Sequence, residues 1–554
     1  MSAAEVALLS CVLQTSILCR LYPSQSTAVI AGCSVVTSLF LLATWKLYLW
    51  PLWFSPLRNL PEPPGGHRLR GHVKLVPNER SGMPLQEWIN RVPNSGLIRY
   101  RMRFNKEVVF VTNPKGLSEV LVQKSYEFAK PAKLRLGLGR ILGVGLIVAE
   151  GNDHKVCAFY LLVGSEETWS DHTQRQRKLL MPAFSHRHIK NLYPIFWDKS
   201  VALARTLEEN ITQTAGQSTK VFDVADWLAR ATLDILGAAG LGEEFDTLHN
   251  PDNEICSAYR NVFEQKPPKG ALAMGLFLLR EALTTALRLT RNDSISAATK
   301  TLTGVARRLI AGKRAKVSTE EYEGEGRDII SVALASDSFT DSMLENHLLT
   351  FLAAGHETTA TSMTWALYAL CLYPDVQKKL RDEIRSRLPH ILDEAPAAPM
   401  TAELLDSLPY LHAVCNEVFR IYPPAGLTRR VATKNTSILG QFIPKGTEIV
   451  ISPRALNVSQ ELWGPDAGVF NPNRWLKPSQ ANTGGGLTNF SFMTFLHGPR
   501  SCIGQGFARG EFASLLAALA GAFEMTLAEE SEIVIETGLT SRPKGGLRVH
   551  FRRV

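Results

Sequence analysis

The residues with the most chemical content are Phe495-Leu-His-Gly498-Pro-Arg500-Ser-Cys502-Ile-Gly504. A lone cysteine is ordinarily a small core residue. Here glycines bracket it, so backbone amides can approach its sulfur. An apolar pattern near helical spacing follows at once: Phe507, Phe512, Leu515, Leu516, Leu519 and Phe523. A thiolate beside a helix N-terminus is stabilised by the positive end of the helix dipole. Arg500 can pair with an anionic group of a cofactor. A single thiolate, in a chain without any C-x-x-C pair, suits an axial ligand of haem iron better than a zinc site.

The segment resembles the F-x-x-G-x-R-x-C-x-G haem loop of the cytochrome P450 family, with Phe495, Gly498, Arg500, Cys502 and Gly504 at the fixed positions. Three more motifs follow the family's order. Ala354-Gly355-His356-Glu357-Thr358-Thr359 falls within a long helical pattern, where glycine and β-branched residues weaken the helix. The resemblance implies an oxygen-binding groove there, with Thr358 hydrogen-bonded to dioxygen and Glu357 relaying protons. His356 occupies a variable place and is expected to face solvent or to pack. Glu417-Val-Phe-Arg420, followed by Tyr422-Pro-Pro, and Phe470-Asn-Pro-Asn-Arg474-Trp475 resemble the segments that build a buried charge cluster. Glu417, Arg420 and Arg474 would then support haem incorporation and the core rather than bond chemistry.

The elements that must position these residues can be read from composition and period. The chain has 554 residues, 45% hydrophobic and 20% charged, which excludes wholesale disorder. Its eight cysteines are scattered singly, so no disulfide framework is indicated. The formal charge of +9 suits a membrane surface or an acidic partner protein and gives no case for nucleic acid. Helical periodicity is clearest over Phe222–Ala239, Leu344–Tyr373, Pro374–Arg387, Tyr410–Tyr422 and Phe507–Phe523. Val108–Val111, Thr447–Ile451 and Leu547–Phe551 read as strands. Val317–Arg327 and Gln480–Asn489 read as loops.

Residues 1–50 read as a membrane anchor. No charge occurs from Leu21 to Trp45, and the span is placed at 27–45, close to the ~20 apolar residues a bilayer requires. Val6–Cys19 is a second uncharged run, short for a span and expected to lie at the interface. Lys46, Arg58, Arg68, Arg70 and Lys74 follow the span against a single Glu62, so the positive-inside rule leaves the rest of the chain in the cytosol. Pro56, Pro61, Pro63, Pro64, Gly65 and Gly66 mark 51–70 as a stiff hinge. Residues 71–554 are the expected haem-thiolate catalytic domain.

One stretch departs from the family pattern. Gly151-Asn-Asp-His154-Lys155 resembles the start of a helix over the haem propionates, and Arg175-Gln-Arg177 its continuation. Val156–Gln174 between them matches nothing in that pattern. Its removal places His154 and Arg177 four residues apart on one helix face. Valine codons begin with GT and a glutamine codon ends in AG, so the stretch reads as a translated, unspliced intron, with a real loop insertion as the other reading. Arg430, in preference to Arg429, is a further family-like propionate contact.

The resemblance implies a mainly α fold with small β-sheets behind an N-terminal transmembrane helix, and a single-pass anchor in the endoplasmic reticulum membrane. It implies haem b, and NADPH acting indirectly through a membrane-bound cytochrome P450 reductase, with cytochrome b5 as a further possible donor. The expected reaction inserts one oxygen atom from dioxygen into a lipophilic substrate, in fungal secondary metabolism. Desaturation or rearrangement on the same fold, and an inactive membrane haem protein, are the alternatives. Lys130–Val148, Phe263–Leu287 and Pro424–Leu427 are expected to line the substrate pocket.

Overall fold

The computed structural model describes residues 3–67, 70–73, 75, 81–143, 145–150, 177–213, 219–263, 294–317, 328–335, 339–388, 391–392, 400–529 and 533–554. His154, Val156–Gln174 and most of Phe263–Leu287 and Val317–Arg327 lie outside them. The described chain forms two compact units. One comprises 1–79, 87–128 and 429–451; the other 80–86, 129–428 and 452–554.

The first unit joins the anchor to a sheet. Helix α1 (Ala3–Leu21) and helix α2 (Thr27–Thr44) pack against each other, joined by a turn in which Gln25 N–H donates to Tyr22 O at 3.1 Å. On α2 the buried residues Ile30, Ser34 and Ser38 recur every fourth position, which puts them on one face. Ser38 Oγ donates to Gln14 Oε1 of α1 at 3.2 Å, and Gln14 Nε2 donates to Ser10 Oγ at 3.1 Å. The outer faces expose Leu13, Ile17, Val29, Val36, Leu39 and Phe40. Val6–Cys19 forms the body of a helix that packs on α2.

The stretch expected as a hinge is fastened to the sheet by hydrogen bonds. Strands Leu97–Arg101, Glu107–Val111, Glu448–Ile451, Thr428–Ala432 and Phe128–Ala129 lie side by side in that order, the first pair antiparallel and the second parallel. Arg99 N–H donates to Pro61 O at 2.9 Å, and its guanidinium donates to Pro51 O at 2.5 Å. Arg99 also pairs with Glu62 (3.0 Å) and Glu107 (2.9 Å), and Arg101 with Glu62 (3.2 Å).

The second unit is built on helices: α3 (Tyr193–Thr212), α4 (Val224–Ile235), α5 (Asp341–Leu372), α6 (Pro374–Arg387), α7 (Pro409–Ile421) and α8 (Gln505–Ala522). Phe222 belongs to strand Thr219–Asp223 and not to α4, because Asp223 caps the helix by accepting from Ala225 N–H at 3.2 Å. Helix α8 is the core element, with Phe512, Leu515, Leu516 and Leu519 at most 1% exposed. Glycines let its neighbours close in. A Cβ on Gly510 would sit 2.9 Å from the Tyr193 ring of α3, and one on Gly521 would sit 2.8 Å from Ile384 of α6. Phe196 of α3 meets Phe507 at 4.8 Å between ring centroids.

Helix α5 runs unbroken for 32 residues, capped by Thr340, whose hydroxyl accepts from Met343 N–H. The expected weak point at Gly355–Thr359 stays helical. The hydroxyls of Thr358 and Thr359 donate back to Ala354 O (2.8 Å) and Gly355 O (3.3 Å), satisfying themselves without breaking the ladder. Gly355 serves close packing, since a Cβ there would lie 3.0 Å from Leu236.

Candidate haem-thiolate site

Cys502 lies three residues before α8, on a loop held by its own backbone. Cys502 N–H donates to Phe495 O at 2.8 Å, and Gly498 bends the loop at φ +80°. Among the described cysteines of the second unit, Cys256 and Cys415 are buried and Cys371 is partly covered. Cys502 alone is exposed. Burial raises its thiol pKa, while the Gly504 amide and the Arg177 charge lower it. An accessible sulfur inside a desolvating surround is the arrangement a planar metal macrocycle needs on its ligand side. His497 is not a rival ligand, because its Nε2 bonds Phe492 O at 3.2 Å. Among the described residues, no group of three His, Cys, Asp or Glu could form another metal site.

Two arginines reach this loop. Arg177 donates to Ser501 O at 2.8 Å and to Ser501 Oγ at 3.2 Å. Burial lowers its pKa and the nearby Cys502 raises it. Arg500 does not stand free for a cofactor, because it forms an ion pair with the buried carboxylate of Glu150. Glu150 also accepts from Lys130 N–H at 3.1 Å. Glu150 falls outside every motif, so nothing in the sequence pointed to it. In the first unit, Arg429 is paired with Glu448, while Arg430 is 2% exposed and donates to Arg429 O at 2.8 Å.

The structure brings Glu417, Arg420 and Arg474 together as expected. Arg420 grips Glu417 with two hydrogen bonds of 2.8 Å, and Arg474 Nε donates to Glu417 Oε1 at 3.2 Å. Two donors and one acceptor were not anticipated. Trp475 Nε1 bonds Glu417 Oε2 at 3.0 Å, Asn471 N–H bonds Oε1 at 2.8 Å, and Arg474 also pairs with Asp466 at 2.8 Å. Asn457 ties this cluster to the cysteine loop: its side chain donates to Arg420 O (3.0 Å) and Thr494 Oγ1 (2.8 Å) and accepts from Met493 N–H (2.8 Å). Phe419 meets Phe495 edge-on at 5.4 Å, beneath Arg509.

Helix α5 connects to the same loop through aromatic contact. A Cβ on Gly504 would lie 3.9 Å from Phe184, whose ring meets Phe351 of α5 at 5.6 Å. Glu357 is half-buried. Its Oε1 accepts from Thr540 Oγ1 at 2.9 Å, and its Oε2 has no hydrogen-bond partner. Burial raises its pKa against the opposing pull of Thr540 and Arg542. His356 packs against Tyr259 at 4.5 Å, and burial lowers its pKa to about 4, so it neither faces solvent nor carries charge at neutral pH. Glu511 of α8 is wholly buried with its pKa raised well above normal. The one hydroxyl near it, on Thr359, is already spent on Gly355 O.

The Cytochrome P450 family model matches residues 165–549. Cytochrome P450 monooxygenase sphH of Aspergillus fumigatus is 40% identical, over 97% of this chain and 95% of its own. Cytochrome P450 monooxygenase FUM15 of Gibberella moniliformis is 39% identical over 97% and 93%, and ALT8 of Alternaria alternata 39% over 96% and 94%. With the accessible Cys502 on its arginine-flanked loop and the Glu417–Arg420–Arg474 cluster behind it, the chain belongs to the cytochrome P450 family of haem-thiolate monooxygenases.

Proposed function

We propose that Cys502 would ligate the iron of a haem b, with Arg177 beside the loop to hold a propionate and Arg500 braced by Glu150. The accessible sulfur beneath two arginines carries this reading. Phe495, Gly498 and Gly504 shape the loop that presents the sulfur. The bound haem supplies dioxygen activation, which thiolate donation favours. The protein's part is to orient the substrate, exclude water and move protons. Glu357, half-buried with Oε2 unengaged, would give and take those protons, and Thr358, whose hydroxyl is bonded to Ala354 O, would help to place dioxygen. His154 is the remaining propionate donor that the family pattern offers, if Val156–Gln174 is absent from the native protein.

The substrate is lipophilic. Leu134 and Leu136, on helix Ala132–Leu142, are exposed apolar side chains in a segment expected to line the pocket. The relatives' fungal sources support a role in secondary metabolism. Electrons come from NADPH through a cytochrome P450 reductase, with cytochrome b5 as an accessory donor, docking on basic residues of the thiolate side. The α1–α2 pair anchors the protein in the endoplasmic reticulum membrane with the catalytic body in the cytosol. Among the described helices Thr27–Phe54 is the one long and apolar enough to cross a ~30 Å hydrocarbon core, and the Gln14–Ser38 bond satisfies polar groups between α1 and α2.

The test is the carbon monoxide difference spectrum of the reduced protein, made with and without Val156–Gln174. A thiolate-type Soret band that Cys502→Ser abolishes is the expected result. A band seen only without Val156–Gln174 identifies that stretch as an intron, and equal bands make it a tolerated loop. No band in either form removes Cys502 as the ligand.

A further inference from the structure

The carboxylate of Glu357 is held from a distant part of the chain. Strands Ile535–Thr537 and Ser541–Pro543 form an antiparallel hairpin whose turn carries Thr540. Both sides of Ser541 are fastened: its N–H donates to Pro424 O at 2.8 Å, and its carbonyl accepts from Trp365 Nε1 of α5 at 2.8 Å. Thr540, 3% exposed, therefore has a fixed backbone. Its hydroxyl accepts from Thr361 Oγ1 at 3.1 Å and donates to Glu357 Oε1 at 2.9 Å. Glu357 and Thr361 are one turn apart on α5, so a single hydroxyl spans both. The donors run in one direction, from Thr361 through Thr540 to Glu357. Oε2 is then the carboxylate atom left without a partner.

We propose that Thr540 is a positioning residue for proton delivery, pinning Oε1 of Glu357 so that Oε2 alone gives and takes protons. This rests on the reading of Glu357 as the proton-relaying acid. The hydroxyl holds Oε1 while Oε2 stays unpartnered, so it fixes which of the two carboxylate oxygens is open. Reduction of dioxygen to water consumes four electrons and four protons, and release as hydrogen peroxide consumes two of each. A carboxylate free to rotate away delivers its protons late, so more of the electrons leave as peroxide. Arg542, Tyr259 and His356 are the other titratable groups around Glu357, and His356 is neutral.

The experiment uses the full chain loaded with haem and supplied with reductase, NADPH and dioxygen, with no organic substrate. The first readout is the share of NADPH electrons recovered as hydrogen peroxide. The second, on the resting protein without NADPH, is the infrared carboxyl band of Glu357, identified by its loss in Glu357→Gln. In Thr540→Val the ratio of peroxide to water rises roughly 5-fold, as losing one neutral hydrogen bond predicts, and the band moves to the position of an unbonded carbonyl. Thr540→Ser restores both. The carbon monoxide spectrum selects variants that fold, and Thr361→Val, which removes the distal donor, moves both readouts in the same direction by less. Glu357→Gln changing the ratio while Thr540→Val leaves ratio and band at wild-type values overturns the role of Thr540 alone. Glu357→Gln leaving the ratio unchanged overturns the relay reading and the proposal with it.

Discussion

Two carboxylates in the same unit, Glu417 fully buried and Glu357 half-buried, have opposite surroundings. Glu417 is saturated: two bonds from Arg420 and one each from Arg474, Trp475 and the Asn471 amide fill both oxygens. Glu357 has one donor and one unengaged oxygen. A fully satisfied charge in a dry interior fixes geometry and is costly to disturb. A partly satisfied one keeps a raised pKa and a free atom, which is what proton transfer requires. The same residue type is therefore closed off in one place and left with an open oxygen in the other, and the count of donors separates them.

The largest effect expected to test this contrast is at the saturated site. Glu417→Gln leaves the buried guanidinium of Arg420 without its counter-ion, while Arg474 keeps Asp466, and costs about 3–5 kcal/mol. The urea midpoint and the yield of haem-loaded protein both fall. Wild-type stability in that variant would dissolve the distinction. Next is Glu357→Gln, whose amide oxygen still accepts from Thr540 but whose NH2 takes the unpartnered place of Oε2, at a cost of about 1 kcal/mol in urea. The fraction of NADPH electrons lost as peroxide nonetheless rises several-fold, since a general acid contributes up to ~100-fold or more to its step. Equal damage to stability and coupling would place Glu357 with Glu417.

The smallest effect concerns Glu511, a third acid and a fully buried one. Its folded pKa is raised, so below the ordinary value of 4.5 both folded and unfolded states hold the proton. As pH rises past that value the unfolded state ionises while the folded state does not, and stability falls. Wild type should therefore lose stability relative to Glu511→Gln between about pH 5 and about pH 8. The two converge in acid. Parallel pH profiles would show that Glu511 is ionised in the fold and belongs with the saturated acids.

Much of the scaffold was legible because its signals are local. Helices α6, α7 and α8 begin and end within about two residues of their apolar periods, since proline, tyrosine and glycine mark the ends. The start of α4 was misread because Phe222 continues the apolar period on the strand side of a capping aspartate. The weak point in α5 did not open, because threonine hydroxyls can close their own hydrogen bonds within a turn. The expected hinge after the anchor gave no sign of its hydrogen bonds, since these depend on Arg99 and Arg101 of a strand.

By itself the sequence singled out Cys502, the Glu357–Thr358 pair and the Glu417–Arg420 pair, because each rests on residues a few positions apart on one loop or helix, with Arg474 added by a second motif. Only the tertiary structure decided what those groups touch. Arg177 meets Ser501 across 324 residues, Arg500 meets Glu150 across 350, and Thr540 meets Glu357 across 183. Spacing along a chain specifies which side chains share a face. Which partners arrive from elsewhere, and which atoms they leave unengaged, is settled only when the helices pack.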